Sequence, residues 1–410
     1  MTTVGWVGQV GVGELREGQT TLLEIIITYW PVLACSFVVS LLATPLCRRY
    51  ALRKRIVDRP DDWLKPHKKP IPYLGGVAIF VGWAAGVVLA LTLFEGLPEE
   101  EVRPRVSPSM DRTMMLGILI AGLATMLLGL FDDLRLASSK VKLAGVSAVA
   151  VLLILVGLGD DTILIALRST GIRLNDMEPW LILAYSVPLT WFITVGACNA
   201  TNLIDGIDGL CSGVLGIIAA GFLVLSVHLH LWYDWHPWDV QRVTLSLAMM
   251  GAALGFLPFN RSPAKIFMGD AGSMLLGLNA AILILLFTKS SAIRWLLGSL
   301  MVFGLPLADM VLTLARRWRN QRPLMQGDRS HFYDQLLDRG MPVKRVVRIS
   351  YALAGLFALM GCIAITLRTR YIILAYVLVL LAIAAAVKKF KMVSLESAQP
   401  GESGQPPPDD

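Results

Sequence analysis

Eleven unbroken apolar runs, each close to the length of a bilayer crossing, restrict this chain more than any other feature. A helix needs about 20 apolar residues to cross the hydrocarbon core. In lipid every backbone polar group must be satisfied inside a helix or a closed barrel. The runs are continuous rather than alternating, so a barrel is excluded. What remains is an all-α polytopic membrane protein with about 10–11 transmembrane helices. Its composition, 55% hydrophobic and 16% charged, is one that soluble chains of this length rarely show.

The runs cover residues 22–46, 73–94, 113–131, 141–158, 180–198, 210–227, 243–259, 274–287, 293–315, 347–367 and 371–387. Residues 1–21 carry Glu14, Arg16 and Glu17 and no basic stretch before a short apolar core. They are expected to be an extracytoplasmic segment ahead of an uncleaved first span, not a signal peptide. A membrane unit at 22–391 follows. The Pro-, Gly- and Ser-rich residues 392–410 are expected to form a disordered cytoplasmic tail.

The net charge of +7 does not point to nucleic acid, because the cations gather in two loops, 48–69 and 316–348, and after 387. Such clustering marks the cytoplasmic side of a multi-pass protein of the inner membrane. The segment 95–101 holds four glutamates and faces outward. In the outward segment 160–178, residues 162–167 and 171–174 predict a small hairpin. Residues 228–238 are rich in Trp, Tyr and His, as expected at the headgroup level. The five cysteines form no CxxC pair, which argues against metal or disulfide roles.

The polar residues are less evenly spread. Asn199, Asn202, Asp205 and Asp208 recur every third residue between two apolar runs. On a helix that spacing keeps them near one face. Carboxylates and carboxamides beside a bilayer-length segment are costly unless they bind something. Four further clusters stand out: the loop with His67, the pair Asp132-Asp133, the turn with Asp270 and the loop with His331. Each of the five is separated from the next by two spans, so all face one compartment, the cytoplasm. An enzyme joining a water-soluble substrate to a lipid suits that pattern. A transporter would place such groups near mid-bilayer.

Asp132 and Asp133 end the third run. Neighbours on a helix diverge by about 100°, so one can meet a metal or phosphate while the other orients a neighbouring cation. The bland alternative is a solvated helix end. Lys140 and Lys142 stand close by, to bind a lipid phosphate or pair with these acids. Phe267-Met-Gly-Asp270-Ala-Gly-Ser273 sets an acid in a glycine-rich turn, as a ligand for Mg2+ beside a phosphate or as an N-cap. Arg329 and His331 offer donors to a diphosphate. Acids for Mg2+ and cations for phosphate at one membrane face indicate phosphoryl transfer. No Walker-type GxxxxGK[ST] is present. Asp309, inside the ninth run, either serves a transport pathway or pairs with a polar group toward the inner face.

These motifs resemble the polyprenyl-phosphate N-acetylhexosamine-1-phosphate transferases. The resemblance runs from the first basic loop to His331 and keeps the family's order. Its pieces are His67 with Pro72-Tyr-Leu-Gly-Gly76, Gly129-Leu-Phe-Asp-Asp133, the stretch 199–210, Gly255-Phe-Leu-Pro-Phe-Asn260 and Phe267-Met-Gly-Asp270. It implies transfer of a HexNAc-1-phosphate from a UDP-HexNAc to undecaprenyl phosphate, giving undecaprenyl-diphosphate-HexNAc and UMP with Mg2+, to begin an envelope polysaccharide. Asp132, Asp133 and Asp270 would be catalytic, with Asp270 and Asn202 at the Mg2+. His67, Lys140, Lys142, Asn199, Asp205, Asp208, Arg329 and His331 would bind substrates. A homodimer is expected by the same analogy. Asp328-Arg-Ser-His-Phe-Tyr-Asp334 followed by Leu336-Leu-Asp-Arg-Gly340 looks like the GlcNAc-1-phosphate branch, with Tyr333 and Asp334 replacing its later two histidines. The alternatives are phospho-MurNAc-pentapeptide transfer and a lipid or ion transporter.

Overall fold

The computed structural model describes residues 22–58, 70–94, 110–134, 138–160, 162–169, 178–232, 238–290, 292–321 and 331–389. The helix α1 (Leu22–Lys54) leads to two short antiparallel strands, β1 (Val57–Asp58) and β2 (Ile71–Pro72). Then come α2 (Gly75–Phe94), α3 (Arg112–Asp133), α4 (Ser139–Leu155), α5 (Thr162–Ser169), α6 (Pro179–Leu203), α7 (Leu210–Trp232) and α8 (Asp239–Asn260). The chain continues through α9 (Gly269–Thr288), α10 (Ile293–Val302), α11 (Gly304–Arg319), α12 (Phe332–Asp338), α13 (Val343–Ala364) and α14 (Thr369–Lys389).

Among the described residues nine helices are long and apolar enough to cross a membrane. The pair α10 and α11, bent by 74° at the break between them, is long and apolar enough for a tenth only if taken as one span. The helix α4, 17 residues long, accounts for the remaining apolar run. The fold is thus the all-α polytopic architecture expected. The break in the ninth run falls at Phe303, before Gly304-Leu-Pro306. Proline lacks an N–H and suits the first turn of a helix, so the sequence here ends one helix and starts another.

The expected hairpin is corrected. Residues 162–169 form the helix α5, not a strand; 171–174 lie outside the described residues. The β-branched residues suggested a strand, but that preference yields to context. Ser186 and Thr190 of α6 supply the context, with Ile163 N donating to Ser186 Oγ at 3.1 Å and Thr162 and Thr190 hydroxyls 3.0 Å apart.

The helix α9 is apolar all round after its first turn, and a helix of that kind belongs in the interior. Every residue from Ala271 to Thr288 is buried. At the periphery α14 buries only Ile372. Helices in lipid gain little from the hydrophobic effect between them, so close approach at small residues matters. Gly76 of α2 lies against Ala271 and Gly272, and Gly277 of α9 lies against Ala197 and Cys198 of α6. Gly129 of α3 faces the first turn of α9, and a Cβ there would sit 2.5 Å from Ala271 N and the Asp270 carbonyl carbon.

That contact gives a prediction. Gly129→Ala must push α3 off the backbone of α9, an overpacking that costs about 1–3 kcal/mol. Gly145→Ala meets only the end of the Leu128 side chain, which can turn away. The melting temperature in detergent is expected to fall by several degrees for Gly129→Ala and to change little for Gly145→Ala. Equal shifts would show that α3 and α9 are not wedged at this point.

Candidate active site

Four helix ends meet at one end of the bundle: the last turns of α3 and α6 and the first turns of α4 and α9. Each delivers one polar side chain. Lys142 Nζ, from α4, donates to Asp132 Oδ2 of α3 at 2.8 Å, to Asn202 Oδ1 of α6 at 3.0 Å, and to Asp270 Oδ2 of α9. Asn202 Nδ2 donates to Asp270 Oδ1 at 2.7 Å and to Ser273 Oγ at 3.1 Å. The side chains of Lys142, Asp132 and Asp270 are 17%, 26% and 28% exposed. They are therefore open enough to admit a ligand and shielded enough for charge to act strongly.

Asp133 points elsewhere. Its Oδ1 accepts from Asp270 N at 2.8 Å and its Oδ2 from Ala271 N at 3.1 Å. The first N–H groups of a helix have no partner within it, and a carboxylate is favoured there. Asp133 is thus a cap that α3 lends to α9. Gly269, with φ of +65°, leaves the space its carboxylate fills, since a Cβ there would strike that group. The adjacent acids have separate jobs. Asp132 meets Lys142, while Asp133 acts on Asp270 by placing it.

The stripe of Asn and Asp does not continue along one helix. The helix α6 ends at Leu203, and the link 204–209 carries Asp205 and Asp208. Asn199, still helical, turns outward and donates to Val195 O of its own helix at 2.9 Å, so it does not join the cluster. Asp205 lies close to it. Burial, then the carboxylates of Asp270, Asp133 and Asp208, push its acid well above the usual carboxylate range. Asp208 Oδ2 accepts from Ala264 N at 2.9 Å, which fixes the loop before α9. Lys140 is exposed on the first turn of α4, and only Lys142 of the two cations enters the cluster. His67 and Arg329 lie outside the described residues.

His331 caps α12 and is buried. Its Nδ1 is 2.7 Å from Asp309 Oδ2 and 3.2 Å from Thr313 Oγ1. Asp309 Oδ1 accepts from Phe332 N at 3.1 Å. Asp309 therefore has the polar partner expected of it. Asp334 Oδ2 accepts from His331 N at 3.2 Å, so this acid completes the cap.

Three functional groups carried no assigned role in the sequence. Asn260 Oδ1 accepts from Gly209 N at 3.1 Å and Ser212 Oγ at 2.9 Å, and its Nδ2 donates to Ile266 O at 3.2 Å. It ties the link 204–209 to the loop before α9. Tyr333 and Tyr351 donate to Leu203 O and Gly209 O. The motif ending at Asn260 was visible, but its partners come from other helices. At the opposite end of the bundle, His230 Nδ1 lies 3.3 Å from Asp239 Oδ2, which also accepts through Oδ1 from Arg242 at 2.7 Å.

Among the described residues no group of three or more His, Cys, Asp or Glu side chains is arranged to hold a metal ion. The set of hard oxygens is smaller: Asp132, Asp270 and the carboxamide of Asn202, already converging on one ammonium. Magnesium commonly takes one or two carboxylates, with water and substrate phosphate completing its shell. The donor chemistry of this set suits it.

Residues 115–288 match the family model described as glycosyl transferase family 4. The chain is 33% identical over 331 residues to a probable undecaprenyl-phosphate N-acetylglucosaminyl 1-phosphate transferase of Bacillus subtilis, covering 79% of this chain and 82% of that one. It is 32% identical over 340 residues to a decaprenyl-phosphate N-acetylglucosaminephosphotransferase of Mycobacterium tuberculosis, covering 78% of each. A phospho-N-acetylmuramoyl-pentapeptide-transferase of Bacillus subtilis is 28% identical over 355 residues, 83% of this chain and 98% of that one.

Proposed function

This chain belongs to the polyprenyl-phosphate N-acetylhexosamine-1-phosphate transferase family, and from that premise we propose that it transfers GlcNAc-1-phosphate from UDP-GlcNAc to undecaprenyl phosphate at the cytoplasmic face of the inner membrane. The products are undecaprenyl-diphosphate-GlcNAc and UMP. One observation supports the chemistry above others. Lys142 meets Asp132, Asn202 and Asp270 where four helix ends converge. A cation ringed by oxygens suits a diphosphate and the lipid phosphate that attacks it. The greater similarity to GlcNAc-1-phosphate transferases favours that donor over the MurNAc-pentapeptide one.

An oxygen of the lipid phosphate attacks the β-phosphorus of the donor. The new P–O bond forms as the bond from that phosphorus to the bridging oxygen breaks, and UMP leaves with the bridging oxygen. A phosphate monoester is already anionic near neutral pH, so it needs orientation more than strong deprotonation. Lys142 holds the acceptor phosphate against the donor. Asp132 Oδ takes any residual proton from it. Asp133 keeps Asp270 in place by capping α9, and Asp205 and Asp208 face the nucleotide and sugar. Mg2+, held by Asp270 and Asn202, would neutralise charge on the diphosphate and on departing UMP.

UMP release by purified protein in detergent tests this reading. Undecaprenyl phosphate and Mg2+ are supplied with UDP-GlcNAc, UDP-GalNAc or UDP-MurNAc-pentapeptide in turn. Release with UDP-GlcNAc is expected. Release with the pentapeptide donor alone would move the protein to the other branch, and lipid movement without UMP release would make it a transporter. A labelled phospho-sugar trapped on Asp132 would replace direct attack by a two-step route.

A further inference from the structure

We infer that Tyr333 and Tyr351 form a two-point clasp on the link 204–209 and so set how tightly the donor is held. The inference rests on the donor reading above. The link carries Asp205 and Asp208 between α6 and α7. At its start, Tyr333 Oη of α12 donates to Leu203 O at 2.9 Å. At its end, Tyr351 Oη of α13 donates to Gly209 O at 2.5 Å. Leu203 is the last residue of α6, where carbonyls have no partner within the helix. It follows Asn202 directly, as Gly209 follows Asp208, so each hydroxyl grips the residue beside a site side chain.

The packing is built for this grip. Tyr333 is 3% exposed, and its ring lies over Gly206, where any Cβ would strike the ring and its hydroxyl. The ring of Tyr351 lies likewise over Gly213. Tyr333 is itself held, because the His331 ring stacks on it at 5.3 Å and 6° while His331 pairs with Asp309 of α11. Both hydroxyls bond to backbone carbonyls and not to a side chain of the cluster around Lys142. They are positioning residues, and each phenol reaches a backbone carbonyl directly.

Tyr333→Phe, Tyr351→Phe and the double variant test the clasp, because each keeps the ring and removes only the hydroxyl. Each single change is expected to raise the KM for UDP-GlcNAc about 3- to 10-fold, the size of one lost buried hydrogen bond. The KM for undecaprenyl phosphate should stay within about twofold, a change of roughly 0.4 kcal/mol that marks no lost contact. Amide hydrogen exchange gives a readout that needs no turnover. In the double variant the peptide covering 204–209 should exchange faster, with α9 unchanged. Unchanged exchange at 204–209 would overturn the clasp. Faster exchange with an unaltered donor KM would overturn its role in donor binding. If the wild type releases no UMP from any UDP-sugar, the proposed reaction fails and exchange alone decides the clasp. If Tyr333→Phe is not recovered folded, Tyr351→Phe carries both readouts.

Discussion

Asp270→Asn is expected to lower UMP release about 1,000-fold, the scale on which loss of one preorganised electrostatic group slows a reaction, with the protein still folded. The change is small in shape and large in charge. Asp270 Oδ1 accepts from Asn202 Nδ2, and Oδ2 accepts from Lys142. An asparagine must turn its NH2 toward one of these donors, so one contact becomes donor against donor. One of the two negative charges facing Lys142 goes as well, leaving that of Asp132. The fold should persist because Asp133 caps α9 through the backbone N–H groups of residues 270 and 271, which asparagine keeps. Single-turnover UMP release and a melting curve in detergent check both halves. Turnover near the wild-type level would show that Asp270 is not part of the reacting site. Loss of folding would show that its side chain, and not its amide, holds α9.

The apolar runs were legible because their signal is local. Each run needs only its own length and hydropathy to become a helix in lipid, and all eleven appear as helices. Only the ninth breaks, at Phe303, where Gly304-Leu-Pro306 starts a new helix. The strand expected within 162–169 is a helix because Thr162 and Ile163 meet the hydroxyls of Thr190 and Ser186, a tertiary contact that no period reveals. Three of the polar clusters were legible as a set: Asp132, Asn202 and Asp270, each two spans from the next in sequence, meet around Lys142.

Individual roles were less legible, because they depend on which helix end meets which. The three-residue spacing of Asn199, Asn202, Asp205 and Asp208 suggested one face, yet α6 stops at Leu203 and Asn199 turns back to its own helix. Neighbouring acids at 132 and 133 were expected to diverge and do. That Asp133 would cap another helix required knowing that α3 and α9 touch at Gly129. Asp309 looked anomalous within an apolar run until His331, 22 residues later, supplied its partner.

Lys142→Met is the second change of large expected effect, and it probes the oxygen set itself. Methionine keeps most of the length of the stem and removes the ammonium. Asp132, Asp270 and Asn202 then turn their oxygens toward a space with no positive charge. The side chains are partly exposed, so the cost lies below that of breaking a fully buried pair, at about 1–3 kcal/mol. The melting temperature without divalent cations is expected to fall, and UMP release to fall at least about 100-fold with the loss of a charge-stabilising donor. The informative measurement is the melting temperature as Mg2+ is added. In the wild type the ammonium already satisfies the three oxygens and opposes a second cation among them. In Lys142→Met that opposition is gone, and binding to the folded state alone raises stability with ligand concentration. Mg2+ should therefore restore more stability to the variant than it adds to the wild type, with Asp270→Asn in the same background abolishing the difference. Equal responses in variant and wild type would place Mg2+ away from Asp132, Asn202 and Asp270, and Lys142 would then serve as the phosphate-binding cation alone.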